Sequence, residues 1–287
     1  MSLRIYILLF LSMFAVSTSP IIARYLNHLN PITISLWRMV IAALIMSIYG
    51  YYRYDLKPIA SNNQIKIVIA GVLLGIHFAL FYGAIALMPN NITNATVFGT
   101  MAPLFVLFVE IYFGRSISKK LIFGLLIVLL GSSIMFIYDF SIDNNLTLGN
   151  ILAILCSVCF AFVFIISDQV SKTENSFNFS RNVFIYASLT LFLIAILTNV
   201  KFLNISIYDF IFLFILGVVP TIIGHSVLYY LGKYLQPTVV ASIPLGEPFI
   251  ASIFAWLLFP GQILNIYIIL GGITTLFGLF IIIQNKK

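Results

Sequence analysis

Long apolar runs separated by short polar stretches extend along nearly the whole chain. A helix that crosses the hydrocarbon core of a bilayer needs about 20 apolar residues, and the runs have about that length. The stretches between them are too short to hold a soluble domain. The pattern therefore predicts ten membrane-spanning helices, called spans one to ten, over residues 4–23, 32–51, 66–88, 92–113, 119–138, 147–168, 181–199, 208–232, 237–259 and 263–284.

The composition agrees with an all-α integral membrane protein. Hydrophobic residues make up 62% of the 287 residues, and Asp, Glu, Lys and Arg only 8%, whereas a soluble domain is about half apolar and about a quarter charged. An alternative concerns span one, where Arg4 precedes an apolar stretch and small residues follow in AVSTSP, as in a cleaved signal peptide. Cleavage there would leave nine spans.

The positions of lysine and arginine predict the orientation. If the N-terminus is cytoplasmic, twelve of the fifteen cations lie on the cytoplasmic side, and Arg24, Arg38 and Lys201 remain for the other side. Both termini are therefore predicted to be cytoplasmic, in the cytoplasmic membrane. The net charge of +7 reflects this bias and gives no reason to expect a nucleic-acid partner, although clusters such as GRSISKK suit contact with anionic lipid. The twelve cations are Arg4, Arg53, Lys57, Lys66, Arg115, Lys119, Lys120, Lys172, Arg181, Lys233, Lys286 and Lys287.

The sequence contains an internal repeat. Residues 75–89 and 224–237 share a histidine, a tyrosine and a proline, each pair 148 positions apart, and glycines of spans five and ten repeat 147 positions apart. We predict two five-span halves, residues 1–140 and 141–287, and because five is odd the second half is inverted in the membrane. The glycine spacing predicts a closely packed face on spans five and ten. The pairs are His77 with His225, Tyr82 with Tyr230, Pro89 with Pro237, Gly124 with Gly271 and Gly131 with Gly278.

The two repeated histidines are predicted to lie near the middle of the membrane. Each precedes the terminal proline of its span by twelve residues, which is about 18 Å along a helix and close to half of a core about 30 Å thick. A polar ring at that depth is a candidate site residue because it must face protein or water. His77 and His225 therefore either line a cavity or are neutral rings bonded to a neighbouring helix.

A buried acid and several prolines mark the predicted helix breaks. Glu247 lies about half-way along span nine, between Pro244 and Pro248, and proline removes backbone donors and loosens a helix. Secondary transporters commonly bind substrates or protons where a helix is broken beside an acid, whereas a protonated carboxyl group bonded to a neighbour is the structural alternative. The other predicted breaks are at Pro103 in span four, which repeats as Pro248, and at Pro220 in span eight.

Arg38 and two tyrosines complete the candidate binding or proton-coupling residues. Arg38 follows Pro31 by seven residues, which places it about 10 Å into the membrane. It is either an interfacial anchor together with Trp37 or a cation that holds a substrate carboxylate or phosphate. Tyr82 and Tyr230 flank the histidines and are assigned to the same site.

Other polar residues are assigned structural roles. Glu110 and Asp168 lie near basic residues at the inner ends of spans four and six and are predicted to be solvated helix ends. Cys156 and Cys159 form one C-x-x-C pair, which on a helix in lipid indicates packing. The chain has no Gly-rich phosphate loop, H-E-x-x-H or G-x-S-x-G motif, so we expect no catalytic residue, metal or cofactor.

In order and spacing, segments along essentially the whole chain resemble the drug/metabolite transporter superfamily, and within it the ten-span EamA-type permeases. The resemblance rests on STSPIIARYL, WRMVIAAL, HFALFYGAI, APLFVLF with GLLIVLLG, GHSVLYYLGKYLQP, LGEPFIASIFAWLL and GGITTLFG. It implies two inverted halves, a central cavity lined mainly by spans one to four and six to nine, and alternating access. The family often has Gly-Glu-Arg after spans four and nine, where this chain has GRS and PGQ, which puts a loop-gating analogy in doubt. On the family's motif positions lie Arg38, His77, Pro103, His225, Glu247 and Pro248.

These observations favour a secondary transporter of a small metabolite. Arg38 and Glu247 suit the carboxylate and the ammonium of an amino acid or related compound, and S-adenosylmethionine or another small cation is the alternative substrate. A membrane-embedded enzyme with His225 and Glu247 as an acid/base pair is one alternative function, and a passive channel or facilitator is another. The expected partners are the substrate and the lipid bilayer. Proton coupling, exchange, direction of transport and oligomeric state stay open.

Overall fold

The computed structural model describes residues 2–53, 59–89, 91–138 and 144–284. Three of the cations predicted above to be cytoplasmic lie outside the described residues, namely Lys57, Lys286 and Lys287, and so do two aspartates predicted to lie in an outer loop, Asp139 and Asp143. Within the described residues, ten helices are long and apolar enough to cross a membrane. Spans one to ten are Leu3–Tyr25, Pro31–Arg53, Ser61–Leu87, Ile92–Tyr112, Lys119–Phe136, Thr147–Val170, Ser176–Leu197, Ile207–Leu231, Pro237–Leu258 and Ile266–Ile283.

Each predicted span coincides with one of these helices, but two helix starts were predicted wrongly. Spans three and seven begin at Ser61 and Ser176, each five residues earlier than predicted. Their first turns carry Ser, Asn and Gln side chains, several of which are buried, and the amide group of Asn63 donates to two side chains that precede span seven. Asn175 caps span seven by accepting a hydrogen bond from the backbone N–H of Phe177. A search for apolar runs misses such polar first turns.

Packing between the spans follows the internal repeat. Span three packs on span six, and span eight packs on span one. These two contacts are equivalent, because span eight is the counterpart of span three and span one is the counterpart of span six. The pair of spans three and seven is related in the same way to the pair of spans eight and two. Spans two and seven, four and nine, and five and ten pack directly on their own counterparts. The bundle therefore consists of two five-helix halves, and the odd number of spans inverts the second.

Spans five and ten meet through their glycines. A Cβ atom built on Gly278 would lie 2.8 Å from the carbonyl oxygen of Gly124, and one on Gly271 would lie 2.6 Å from Met135 Cγ. Backbones this close leave room for no side chain larger than hydrogen. The predicted closely packed glycine faces are thus confirmed, and they face each other. Neither span contributes to the lining of the cavity described below.

Spans one and four are interrupted near their middle. In span one the two helices meet at Thr18, a break that was not predicted. In span four Pro103 lies in the first turn of the second helix, where a missing N–H is tolerated, so the break precedes the proline. The pieces are Leu3–Ser17 and Ser19–Tyr25 in span one, and Ile92–Gly99 and Ala102–Tyr112 in span four.

Spans eight and nine also contain irregular helical segments. Pro220 lies inside a π-helix, so span eight widens there and does not end. Pro244 lies in a 3-10 turn of span nine, and Pro248 lies in the first turn of the helix that follows. The pieces are Ile207–Leu216, the π-helix Gly217–His225 and Ser226–Leu231 in span eight, and Pro237–Ser242, the 3-10 turn Ile243–Gly246 and Glu247–Leu258 in span nine.

Candidate functional site

The irregular parts of spans one, four, eight and nine meet around a small cavity between the two halves. The part of this cavity that admits a water-sized sphere is about 20 Å³, which is room for about one water molecule. Irregular backbone in a membrane requires protein or a cavity beside it, because lipid cannot satisfy its polar groups. The cavity is lined by Val16, Ser19, His77, Phe78, Phe81, Gly99, Thr100, Phe160, His225, Pro244 and Glu247.

Both repeated histidines border this cavity. The ring of Phe160 stacks on His77, with 4.5 Å between centroids, and meets His225 edge-on at 5.2 Å. His77 Nδ1 is 2.9 Å from the carbonyl oxygen of Cys156. Since a carbonyl can only accept, the ring donates from Nδ1, and in the neutral ring Nε2 remains an acceptor. His225 Nδ1 is buried and has no partner among the described residues, so it is available to a ligand.

Glu247 supplies an acidic group to the cavity. It begins the second helix of span nine, and 6% of its surface is exposed. In the part of the chain that the structure describes, no side chain or backbone N–H donates a hydrogen bond to its carboxyl group. Burial removes the hydration of a carboxyl group, so buried acids are normally paired or hydrogen-bonded. This one is available to a proton or to a cationic ligand.

Arg38 is fully buried behind one wall of the cavity. Its Nε donates to Thr221 Oγ1 at 2.6 Å, and its Nη1 donates to Ser19 Oγ at 2.9 Å and to the Tyr82 hydroxyl at 2.5 Å. The guanidinium carbon lies 3.9 Å from the centroid of the Phe78 ring. Because Ser19 and Phe78 line the cavity, one layer of side chains separates the cation from it.

The remaining nitrogen of Arg38, Nη2, is sealed from solvent and has no partner among the described residues. The charges of Arg38 and Glu247 are close enough to interact, but the described side chains form no ion pair within 4.0 Å at this site. The alternative role of interfacial anchor belongs to Trp37, whose Nε1 donates to the carbonyl oxygen of Phe202 at 2.7 Å. The guanidinium thus keeps one donor free inside the bundle.

The structure brings Tyr82 to this cluster and leaves Tyr230 outside it. The Tyr82 hydroxyl bonds Arg38 as described. The Tyr230 hydroxyl lies 2.9 Å from that of Tyr234, and the guanidinium of Arg4 lies over the Tyr230 ring. The assignment of Tyr230 to the site therefore does not agree with its position, which is near the end of span eight beside the start of span one.

Tyr229 takes the place that the repeat assigned to its neighbour. Its ring centroid is 6.5 Å from that of His225, and its hydroxyl is buried without a partner among the described residues. Successive residues of an α-helix point about 100° apart. An alignment of two short segments does not decide which of two adjacent tyrosines faces the site. Tyr229 follows His225 by four residues, and residues four apart lie on the same face of a helix.

An ionic network of two buried acids and one exposed arginine closes the cavity on the side of the chain termini. Arg115 donates to Glu110 Oε1 at 3.0 Å and to Asp168 Oδ2 at 2.8 Å. The other oxygen of Glu110 accepts hydrogen bonds from the backbone N–H and the hydroxyl of Thr238. The prediction of solvated helix ends is wrong, because Glu110 and Asp168 are buried. A turn at Gly114, with a φ of 71° that favours glycine, folds Arg115 back over both acids.

Other contacts close the cavity on the opposite side. The hydroxyl oxygens of Thr93 and Ser252 are 2.9 Å apart and join the parts of spans four and nine that lie away from the chain termini. The guanidinium of Arg24 lies 4.2 Å from the ring centroid of Phe259, and the ring of Tyr25 packs on the same ring at 4.8 Å. Spans four and nine therefore touch at both ends, and the cavity between them is occluded.

Removal of the cation from the ionic network should open the cavity toward the chain termini. Arg115→Gln leaves two buried carboxyl groups without their partner, a change that strongly destabilises a buried ion pair. With both native cysteines replaced by serine, Ser242→Cys serves as a probe because Ser242 is fully buried. We expect Arg115→Gln to raise its reaction with a membrane-impermeant maleimide on the order of tenfold.

The matched control for this opening is Lys119→Gln. It removes a positive charge four residues along the chain and leaves both carboxyl groups with Arg115. We expect no change in the labelling of Ser242→Cys. An equal rise in the two variants would attribute the opening to lost surface charge and would contradict a role for the network.

The cysteine pair lies beside the cavity without forming a metal site. Cys156 is buried, with its Sγ 3.8 Å from the carbonyl oxygen of Gly99, and Cys159 is partly buried. Within the described residues, no group of three His, Cys, Asp or Glu side chains is arranged to hold a metal ion. The contacts of Cys156 are those of a packing residue between spans six and four.

Comparison with known proteins agrees with this architecture. The model of the EamA-like transporter family matches residues 3–137 and 147–284. A protein of solved crystal structure is similar with a TM-score of 0.78 over 97% of this chain and 96% of its own, at 14% sequence identity. An identity this low shows a shared fold alone. No curated protein is significantly similar to the chain.

Proposed function

Because the chain belongs to the EamA-like transporter family, we propose that it is a secondary transporter that moves a small amino acid-like metabolite by alternating access. Family membership makes the protein a membrane transporter and not an enzyme, so an acid/base pair of His225 and Glu247 is not retained. The cation distribution supports the cytoplasmic membrane as its location and cytoplasmic positions for both termini.

The proposal depends most on two unpartnered groups of opposite charge at one cavity. Glu247 lines the cavity, and the guanidinium of Arg38 lies behind the Phe78 ring of its wall. Within the described residues neither charged group forms an ion pair, and a buried charge without a counter-charge is costly. A ligand that carries an ammonium and a carboxylate satisfies both groups when the side chains between Arg38 and the cavity move aside. The N–H groups of Nη2 are the donors of Arg38 that remain for the carboxylate.

The surroundings of these two groups favour the same class of substrate. The helices Ala102–Tyr112 and Glu247–Leu258 both begin beside the cavity, and helix N-termini favour a carboxylate. The rings of Phe78, Phe81 and Phe160 line the cavity and suit an apolar side chain. Such rings also attract cations, so a small organic cation is the competing substrate class.

The lack of room in the cavity supports alternating access. Space for about one water molecule excludes any amino acid, so substrate enters and leaves when one of the two closures opens. Glu247 needs a proton or an ammonium group whenever it is sealed from water. Proton coupling and substrate exchange both meet this requirement, and both are compatible with the proposal.

The test is counterflow of labelled phenylalanine into proteoliposomes. We expect saturable exchange driven by unlabelled phenylalanine inside the vesicles. Phenethylamine lacks the carboxylate, and phenylpropanoate lacks the ammonium group. Each should compete at least about 30-fold more weakly, because each leaves one buried charged group unpaired at a cost of about 2 kcal/mol.

Two outcomes separate this proposal from its competitors. Competition by phenethylamine as strong as that by phenylalanine would indicate a transporter of organic cations, in which Arg38 does not bind substrate. Uptake that rises linearly with concentration and shows no counterflow would indicate a passive channel. Empty liposomes and heat-treated protein give the background rate.

A further inference from the structure

An apolar groove opens from the bundle toward the bilayer between spans one and ten. The space in it that admits a water-sized sphere is about 320 Å³, compared with about 20 Å³ in the occluded cavity. Tyr6, Leu9 and Met13 of span one form one wall, and Leu279 and Ile283 of span ten form the other. In a membrane, a groove of this character is in contact with lipid chains and not with water.

A cation, Lys120, flanks the end of this groove that lies toward the chain termini. The guanidinium of Arg4, although Arg4 precedes Tyr6 by two residues, lies over Tyr230 of span eight and away from the groove. Lys120 is exposed and donates from Nζ to Oε1 of Gln284 at 2.5 Å, and Gln284 directly follows Ile283 of the groove wall. Positive charge therefore lies at the polar end of the groove, at the level of lipid headgroups.

The floor of the groove is the irregular turn of span nine. Ile243, the first residue of the 3-10 turn, lines the groove. A Cβ atom built on Gly246 would lie 2.5 Å from Met13 Sδ and 3.3 Å from Leu279 Cδ1, so both walls pack on this turn. The next residue along the chain is Glu247 of the occluded cavity. A ligand in the groove would thus support the turn from the lipid side.

We infer that the groove binds an acyl chain of an anionic phospholipid from the leaflet on the side of the chain termini. The acyl chain matches the apolar walls, and the negative headgroup matches Lys120. Each cation near the surface favours an anionic over a zwitterionic lipid by about fivefold. The site is separate from the substrate cavity, so it does not depend on which compound is transported.

The experiment places a fluorescent reporter at the rim of the groove. Phe280 is 60% exposed on span ten, so Phe280→Trp, combined with Trp37→Phe and Trp256→Phe, gives one tryptophan beside the groove. Lipids with brominated acyl chains quench a tryptophan that they touch. We expect brominated phosphatidylglycerol to be preferred over brominated phosphatidylcholine by about fivefold at this reporter.

Two sets of variants connect the preference to the groove. Lys120→Gln, alone or together with Arg4→Gln, should reduce the preference to within about twofold, because the headgroup partner is gone. Leu276→Phe adds a ring to the groove wall and should reduce quenching by both lipids, with an unchanged elution profile on gel filtration. The matched reporter is Ile48→Trp on span two, which is 58% exposed and should show the two lipids within about twofold.

Three results would overturn the inference. The first is equal quenching by the two lipids at Phe280→Trp, and the second is quenching that neither the charge variants nor Leu276→Phe change. The third is a dimer in light scattering that Leu276→Phe dissociates, without a lipid preference, which would identify a second copy of the chain as the occupant of the groove.

Discussion

Glu247→Gln is expected to reduce the rate of substrate counterflow on the order of 100-fold. Glutamine keeps the size and shape of the side chain. Its amide group, however, neither binds and releases a proton near neutral pH nor neutralises an ammonium group. Removing one member of a buried charged pair costs about 3 kcal/mol, which corresponds to a factor of about 100. The measurement compares initial counterflow rates at equal amounts of reconstituted protein.

The same variant is expected to remain folded. No hydrogen bond within the described residues ends on the carboxyl group of Glu247, so the substitution leaves no protein donor unpaired. A neutral amide is also easier to bury than an ionised carboxyl group. The free energy of unfolding should therefore equal or slightly exceed that of the wild-type protein, in contrast to the transport rate.

Glu174→Gln is the matched control. The Glu174 Oε1 atom accepts hydrogen bonds from the backbone N–H of Ala60 at 2.9 Å and from Asn63 Nδ2 at 3.2 Å, and an amide oxygen accepts both equally well. This loop residue is far along the chain from the cavity, so counterflow should stay within about twofold of wild type. A wild-type rate of counterflow in Glu247→Gln would show that the carboxyl group of Glu247 does not bind substrate.

The fold was predictable because its signals are local. Each span is visible in the sequence as an apolar run long enough to cross the membrane. The repeat of His77 as His225 indicated two halves, and the odd number of spans in each half indicated that the second is inverted. The glycine spacing in spans five and ten was also a local signal, since two helix backbones can approach this closely only where side chains are absent. These features require no knowledge of which distant residues meet.

The ionic closure was not predictable because it depends on a distant contact. Glu110 lies near a helix end, and by sequence alone a carboxyl group there reaches water. In the structure Asp168 and Thr238, from the other half, cover it together with Arg115. Nothing in the local pattern of span four indicates that these partners arrive there.

Two details of the site were hidden for different reasons. The break at Thr18 had a weak signal, because Pro20 lies in the first turn of the helix that follows, where proline is favoured. The bond from Arg38 to Thr221 had none, because it joins spans two and eight. The sequence offered an anchor or a binding cation for Arg38, and the depth of burial argues against the anchor.

Arg38→Lys is expected to abolish measurable transport and to lower the free energy of unfolding by about 3 kcal/mol. A single ammonium nitrogen cannot replace Nε and Nη1, which bond Thr221, Ser19 and Tyr82 from two sides. At least one buried hydroxyl group then loses its donor, at about 1–3 kcal/mol, and the stacking on Phe78 is lost as well. Unfolding in mixed micelles and counterflow measure the two effects.

Arg24→Lys is the control for the same chemical change outside the cavity. Arg24 stacks on Phe259 at the outer end of span one and is partly exposed, so its substitution should cost less than about 1 kcal/mol. Thr221→Val alone removes one hydrogen bond of the network and should cost about 1 kcal/mol. Because Arg38→Lys already breaks that bond, adding Thr221→Val to it should cost almost nothing more. Full additivity of Arg38→Lys and Thr221→Val would mean that the guanidinium does not act through Thr221. Equal losses of unfolding free energy in Arg24→Lys and Arg38→Lys would mean that the buried hydrogen bonds of Arg38 do not contribute to stability.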